Sequence, residues 1–139
     1  MPVLCAASFD YAGGSMMVVE EADLWCSPNQ ILPEYAALLK YGRKRGAWVC
    51  SVARRAGEIH RLATSQARHV IAFGAPEPID ADYVRRAMSG AVSIEQLQSL
   101  DPLEGAWWDR RTRKLTRLHV DPVQLTVRRL DRKEPAGLP

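Results

Sequence analysis

Apolar residues in this chain gather in short runs that stop at glycines, prolines or paired charges. Val3 to Ala12 is mostly apolar and ends at Gly13-Gly14, a helix stop. Ser15 to Glu20 has no polar alternation until its carboxyl end and predicts a short buried strand. Ala22 to Gln30 holds the Asp, Ser, Pro and Asn of a loop. Asn29 then predicts a helix cap, with Pro33 in the first turn and Ile31, Tyr35, Leu38 and Leu39 on one inward face. Gly42 and Gly46 bracket a basic stretch that closes this element.

Ala47 to Ala53 is a second apolar strand, followed by Arg54-Arg55 and a helix near Ala56–Ala67 with Ile59, Leu62 and Ala63 inward. His69 to Phe73 is a third strand, ended by Gly74 and nearby prolines. Asp80 and Ser93 predict caps for short helices over Ala81–Met88 and Ile94–Leu100. Ala106–Asp109 and Lys114–Val120 read as two strands around an Arg110–Thr112 turn. Continuous apolar strands alternating with helices predict the α/β class, a parallel sheet covered on both faces, with a small carboxyl-terminal β-hairpin.

Composition narrows the function classes. The 139 residues suit one domain with a core that needs no staples. No apolar run approaches the roughly 18 residues of a membrane span, and the first residues lack the basic region of a secretory signal. Cys5, Cys26 and Cys50 are at unrelated spacings, which fits a reducing compartment, the cytoplasm, and neither a disulfide framework nor a zinc site. Charge is uneven within a net +3: residues 1–40 hold one basic and five acidic side chains, residues 107–139 nine basic and four acidic. A basic tail can lie on phosphate backbones, so DNA is a possible partner; a solvated arginine-rich surface is the plainer alternative.

The segment Met16 to Asp23 carries the candidate chemistry. A hydrophobic strand delivers Glu20 and Glu21 to its carboxyl end, where ligands bind in open α/β sheets. Neighbouring acids there suit magnesium-nucleotide chemistry: one holds the ion, usually through water, and the other orients a water for attack on a terminal phosphate.

Downstream, Tyr41-Gly42-Arg43-Lys44-Arg45-Gly46 precedes the second strand, Ser51 to Ile59 follows from it, and Leu62 to Phe73 comes next. In this order the chain resembles the back half of a P-loop ATPase of the FtsK/HerA superfamily, nearest the phage and plasmid branch with its Zot-like and DNA-packaging ATPases. The resemblance covers about residues 3–120. It implies a partial three-layer P-loop NTPase-like fold, a parallel sheet flanked by helices, divided as 1–105 ATPase core, 106–120 β-hairpin and 121–139 flexible basic tail. It further implies Mg-ATP as cofactor, DNA as partner and a homo-oligomer once the core is complete.

Residue by residue, Glu20-Glu21 occupies the Walker B position, where the family usually has Asp-Glu. The resemblance makes Glu20 the magnesium-side acid, acting through water, and Glu21 the catalytic carboxylate that polarises water. Arg43 matches an arginine that reaches a neighbouring subunit's nucleotide. Arg54 replaces a glutamine that senses the γ-phosphate in relatives, and Ala56 a proline; Arg54 could contact phosphate directly as a bidentate donor.

No Gly-x-x-x-x-Gly-Lys-Ser/Thr occurs, and Gly13-Gly14 is followed by Ser15 and lacks the lysine. The chain therefore looks like the carboxyl-terminal portion of an ATPase, through truncation, a late start codon or a split subunit, and is expected to bind Mg-ATP weakly and not to hydrolyse it alone. Two alternatives stay open: a non-catalytic DNA-binding or protein-interaction α/β domain, and a small α/β enzyme using Glu20 and Glu21 as acid and base. His60, His69 and His119 show no metal-ligand spacing. Trp107-Trp108 could stack on bases, but strand alternation sends one ring inward. Cys50 reads as a buried small side chain.

Overall fold

The computed structural model describes residue 14, residues 16–121 and the backbone of residues 126–129. The apolar stretch Val3–Ala12, and most of the basic tail, lie outside these described residues. The chain divides into two compact units, 1–67 and 68–139.

In the first unit, β1 (Met16–Val19) is followed by a 3-10 turn over Ala22–Leu24 and a tight antiparallel hairpin of β2 (Cys26–Ser27) and β3 (Gln30–Ile31). Helix α1 (Pro33–Tyr41) runs into a 3-10 turn over Gly42–Arg45, and β4 (Trp48–Ser51) returns beside β1. The two strands pair in parallel, in keeping with the parallel sheet expected, with Met16 opposite Trp48 and Val19 opposite Ser51. A second 3-10 turn, Ala56–Glu58, and α2 (Arg61–Gln66) complete the unit.

Its core is built by Val19, Ala22, Cys26, Tyr35, Leu38, Ile59 and Ala63. Tyr35 is fully buried and its hydroxyl meets the Ser51 hydroxyl at 2.6 Å, the partner a buried phenol requires. Burial pushes the Cys26 thiol up, only partly offset by its hydrogen bond with the His60 backbone.

Local chemistry corrects three boundaries. Asn29 lies in the β2–β3 turn and caps nothing; α1 starts at Pro33 after an extended Leu32, because proline is preorganised for a first helical position. Ile31 accordingly belongs to β3. The helix expected over Ala56–Ala67 is broken at Ile59–His60, where the His60 Nδ1 accepts from the Leu62 N–H at 3.0 Å and caps α2.

The second unit is a four-stranded antiparallel sheet in the order β5 (His69–Phe73), β6 (Glu104–Asp109), β7 (Lys114–Asp121), β8 (Thr126–Arg129). The expected β6–β7 hairpin is present, extended by a strand on each side. Gly105 allows close cross-strand packing: a Cβ there would meet the Phe73 ring and the Ala72 carbonyl at 3.2 Å. Between β5 and β6 lie α3 (Pro78–Ala87) and α4 (Ile94–Gln98), which bury Ala81, Val84 and Leu97, with Met88 just past α3. The α3 cap is Glu77, with Pro78 in the first turn, and Asp80 falls inside the helix. Ser93 caps α4 as expected: its hydroxyl accepts from the Gln96 N–H at 3.1 Å while the Gln96 side chain accepts from the Ser93 N–H at 2.9 Å.

The strands depart from the expected sheet in two ways. His69–Phe73 does not run parallel but lies in an antiparallel ladder with β6. The sheet faces are also not apolar-covered throughout: Met16, Val18, Trp48 and Cys50 share one face of the β1–β4 pair and are all exposed. Cys50 is thus not a core residue. Trp107 and Trp108 divide as strand alternation requires, Trp108 buried and Trp107 half-buried beside His69.

Candidate functional site

The carboxyl end of β1 is held by its neighbour. The Val52 N–H donates to the Val19 carbonyl and the Ala22 N–H to the Val52 carbonyl, both at 2.8 Å. The parallel ladder therefore continues past the strands and fixes both ends of the Glu20-Glu21 dipeptide. Glu20 and Glu21 are exposed there. Glu21 takes a left-handed backbone, φ 49° and ψ 45°, unusual for a residue with a side chain. The chain then tightens into the 3-10 turn, with the Leu24 N–H on the Glu21 carbonyl at 2.9 Å.

Arg54, two residues beyond Val52, faces this turn. Its Nη1 is 3.9 Å from Glu21 Oε1 and its Nη2 4.0 Å from Asp23 Oδ2. The Arg54 side chain is 70% exposed, so these long ion pairs are weak. Asp23 differs: its side chain is only 7% exposed, and Oδ1 is buried with no hydrogen-bond partner among the described residues. A lone Asp in a loop-rich segment gives no sign of this burial in the sequence. The signal is its place two residues after Glu21, across a fully buried Ala22.

The structure thus brings Glu21, Asp23 and Arg54 together, with Glu20 adjacent in the chain. Arg43 is elsewhere. It is exposed in the 3-10 turn ahead of β4, at the end of the pair where the Gly14 N–H meets the Gly46 carbonyl at 2.8 Å. Four strand residues separate the two ends, about 13 Å at the rise of an extended strand.

No group of three or more metal-ligating side chains occurs among the described residues. The oxygens of Glu20, Glu21 and Asp23 nevertheless suit Mg²⁺, a hard cation that uses one or two carboxylates and completes its shell with water and phosphate. The unpartnered Asp23 oxygen fits a site whose charge balance is incomplete.

No protein-family model and no curated protein sequence matches the chain. Solved structures do. The genome packaging NTPase B204 from Sulfolobus turreted icosahedral virus 2, in complex with ATP-gammaS, aligns with a TM-score of 0.68 and 20% identity over 81% of this chain and 54% of its own. Its AMP complex aligns with a TM-score of 0.72 and 19% identity over 84% and 58%. B204 as the DNA-packaging ATPase from Sulfolobus turreted icosahedral virus gives 0.68 and 19% over 84% and 60%. Over the aligned residues the chain shares the fold of B204.

The P-loop NTPase-like architecture implied by the sequence is therefore the observed one. The chain spans between 54% and 60% of the length of these neighbours. No helix among the described residues is long and apolar enough to cross a membrane.

Proposed function

We propose that this chain supplies the Walker B side of a DNA-translocating or DNA-packaging NTPase core of the FtsK/HerA type, working in the cytoplasm. The observation that carries the reading is the placement of Glu20 and Glu21 at the carboxyl end of β1, clamped to the end of β4 and faced by Arg54, in a fold shared with a packaging NTPase. Glu20 is the magnesium-side acid, acting through water. The ion, when bound with nucleotide, would neutralise phosphate charge.

Glu21 is the residue that orients a water and takes its proton. Its left-handed backbone sets it at the crest of the turn. Arg54, near Glu21 and Asp23, can turn its fork toward phosphate because both contacts are long and its own side chain is exposed. Arg43, at the far end of the strands from these carboxylates, has no role in the same site. It suits a trans-acting role on a neighbouring subunit's nucleotide.

The 139 residues contain no phosphate-loop sequence. A working core therefore needs that loop, with its lysine, from other sequence, and the subunits would assemble as a homo-oligomer around DNA. With such a segment supplied by fusion or in trans, Arg43→Ala should stop hydrolysis without unfolding the chain. Mixing it with Glu21→Gln should recover part of the activity, since mixed interfaces pair an intact Glu21 with an intact Arg43. No recovery on mixing, or no loss in Arg43→Ala, would remove Arg43 from the mechanism.

The alternative, a non-catalytic DNA-binding or interaction domain, is favoured by a different observation: the exposed apolar face of Met16, Val18 and Trp48. Nucleotide-independent DNA binding by the chain, with no turnover under any complementation, would support it.

A further inference from the structure

We propose that the second unit carries a phosphate-binding site at the turn of the β6–β7 hairpin. A cavity of about 310 Å³ opens there, lined by Ser89, Trp108, Arg110 and Arg113. Two turns build it: the residues just past α3, and the hairpin turn itself. Each contributes a non-glycine residue in the left-handed region, Ser89 at φ 58° and Arg113 at φ 53°.

The described lining favours an anion: a hydroxyl, an indole N–H and two guanidinium groups can all donate, two of them with permanent positive charge, and none of the described lining residues is a carboxylate. Arg110 is held at the cavity, its Nη2 donating to the Ala87 carbonyl at 3.1 Å, and its guanidinium keeps a fixed positive charge there.

The adjacent carboxylate, Asp109, is committed to its own turn. Its Oδ1 accepts from the Arg111 N–H at 2.9 Å and the Thr112 N–H at 3.3 Å, and Arg68 Nε lies 3.9 Å away.

Trp108 supplies the independent sign of a missing acceptor. The residue is only 7% exposed, lines the cavity, and has a buried Nε1–H with no partner among the described residues. Buried indole N–H groups normally find one. A phosphoryl group offers several acceptor oxygens with negative charge and suits both the arginines and the indole. The volume is at the small end of ligand cavities, roughly 300 Å³ upward, and admits one nucleotide-sized group. The phosphate could belong to a nucleic-acid backbone or be a free ion. Glu20, Glu21, Arg43 and Arg54 take no part, so this site stands or falls separately from the NTPase reading.

The test uses the whole chain labelled with ¹⁵N. The indole signals of Trp25, Trp48 and Trp107 are assigned with Trp→Phe variants, leaving Trp108 intact and identified by elimination. The protein is then titrated with inorganic phosphate and, separately, a short oligothymidylate at fixed ionic strength. The Trp108 indole signal should shift and saturate. Arg113→Ala should weaken that binding at least about fivefold, while Arg111→Ala, of equal charge in the same turn but outside the lining, should change it less than about twofold.

Saturation with both ligands, or with either alone, supports the site; a response to the oligonucleotide only identifies the phosphodiester backbone as its source, and to phosphate only a free ion. An indole signal that never saturates with either overturns the proposal. Equal weakening by Arg111→Ala and Arg113→Ala also overturns it, since that marks a diffuse basic surface.

Discussion

Arg54 reaches Asp23 across the turn after β1, its Nη2 4.0 Å from Oδ2, while the other oxygen of that buried carboxylate has no hydrogen-bond partner among the described residues. The pair is lopsided: an exposed guanidinium serves a carboxylate that is almost wholly out of water. Removing the arginine should therefore cost more than the weak contact suggests. Arg54→Ala is expected to lower stability by about 1 kcal/mol, because a buried charge loses its cation. Asp23→Ala combined with Arg54→Ala should restore part of that loss. Urea unfolding of the two variants checks this; an Arg54→Ala midpoint equal to wild type would mean that Asp23 is not held this way.

Glu21 stores strain of a kind that glycine would not. A left-handed L-residue costs about 1–2 kcal/mol, partly offset in a glycine variant by about 0.5–1 kcal/mol of unfolded-chain entropy. Glu21→Gly should thus be as stable as wild type or slightly more so, and Glu21→Val clearly less stable. Thermal melts of both variants decide it. A glycine variant that melts well below wild type would contradict the left-handed turn.

Asp109 gives the second unit an acid limit. Burial raises its carboxyl, but the N–H groups of Arg111 and Thr112, the Thr112 side chain and the nearby Arg68 outweigh it and hold the group below the usual carboxylate range. A depressed folded value means that the stabilisation is complete above the unfolded pKa, about 3.9, and disappears as pH falls through the folded one. Asp109→Asn should be less stable than wild type at neutral pH, and the difference should shrink below about pH 4. Denaturant midpoints at neutral and acid pH in both proteins measure it; a difference that does not change with pH would show that the carboxylate's charge contributes nothing.

Much of the architecture was legible because short apolar runs and turn residues carry it. The β1 and β4 strands, the helix with Pro33 in its first turn, the Ser93 cap and the β6–β7 hairpin all follow from local pattern. What an apolar run does not encode is its partner. His69–Phe73 reads the same whether it joins a parallel core or, as here, lies antiparallel to β6. Nor does apolarity guarantee burial: Met16, Val18 and Trp48 face outward, as a good part of any protein's apolar surface does. At the site, the Glu20-Glu21 dipeptide was visible as a strand end. The burial of Asp23 was not, since the turn that holds it is fixed by a hydrogen bond from the Ala22 N–H to the Val52 carbonyl, between segments thirty residues apart.

The chain alone should bind Mg-ATP no more tightly than the millimolar range, about −4 kcal/mol. Most contacts to the β- and γ-phosphates come from a phosphate loop and its lysine, and neither is present. Isothermal titration with Mg-ATP checks this, and a micromolar affinity would contradict it.

Glu21 is the residue proposed to act on the attacking water. The most direct test is ATP turnover, with a phosphate-loop segment supplied by fusion or in trans, compared between the wild-type chain and Glu21→Gln at equal nucleotide occupancy. The variant is expected still to bind Mg-ATP but to lose turnover by about 100-fold or more. Turnover equal to wild type at full occupancy would contradict it and leave Glu21 as one surface carboxylate among others.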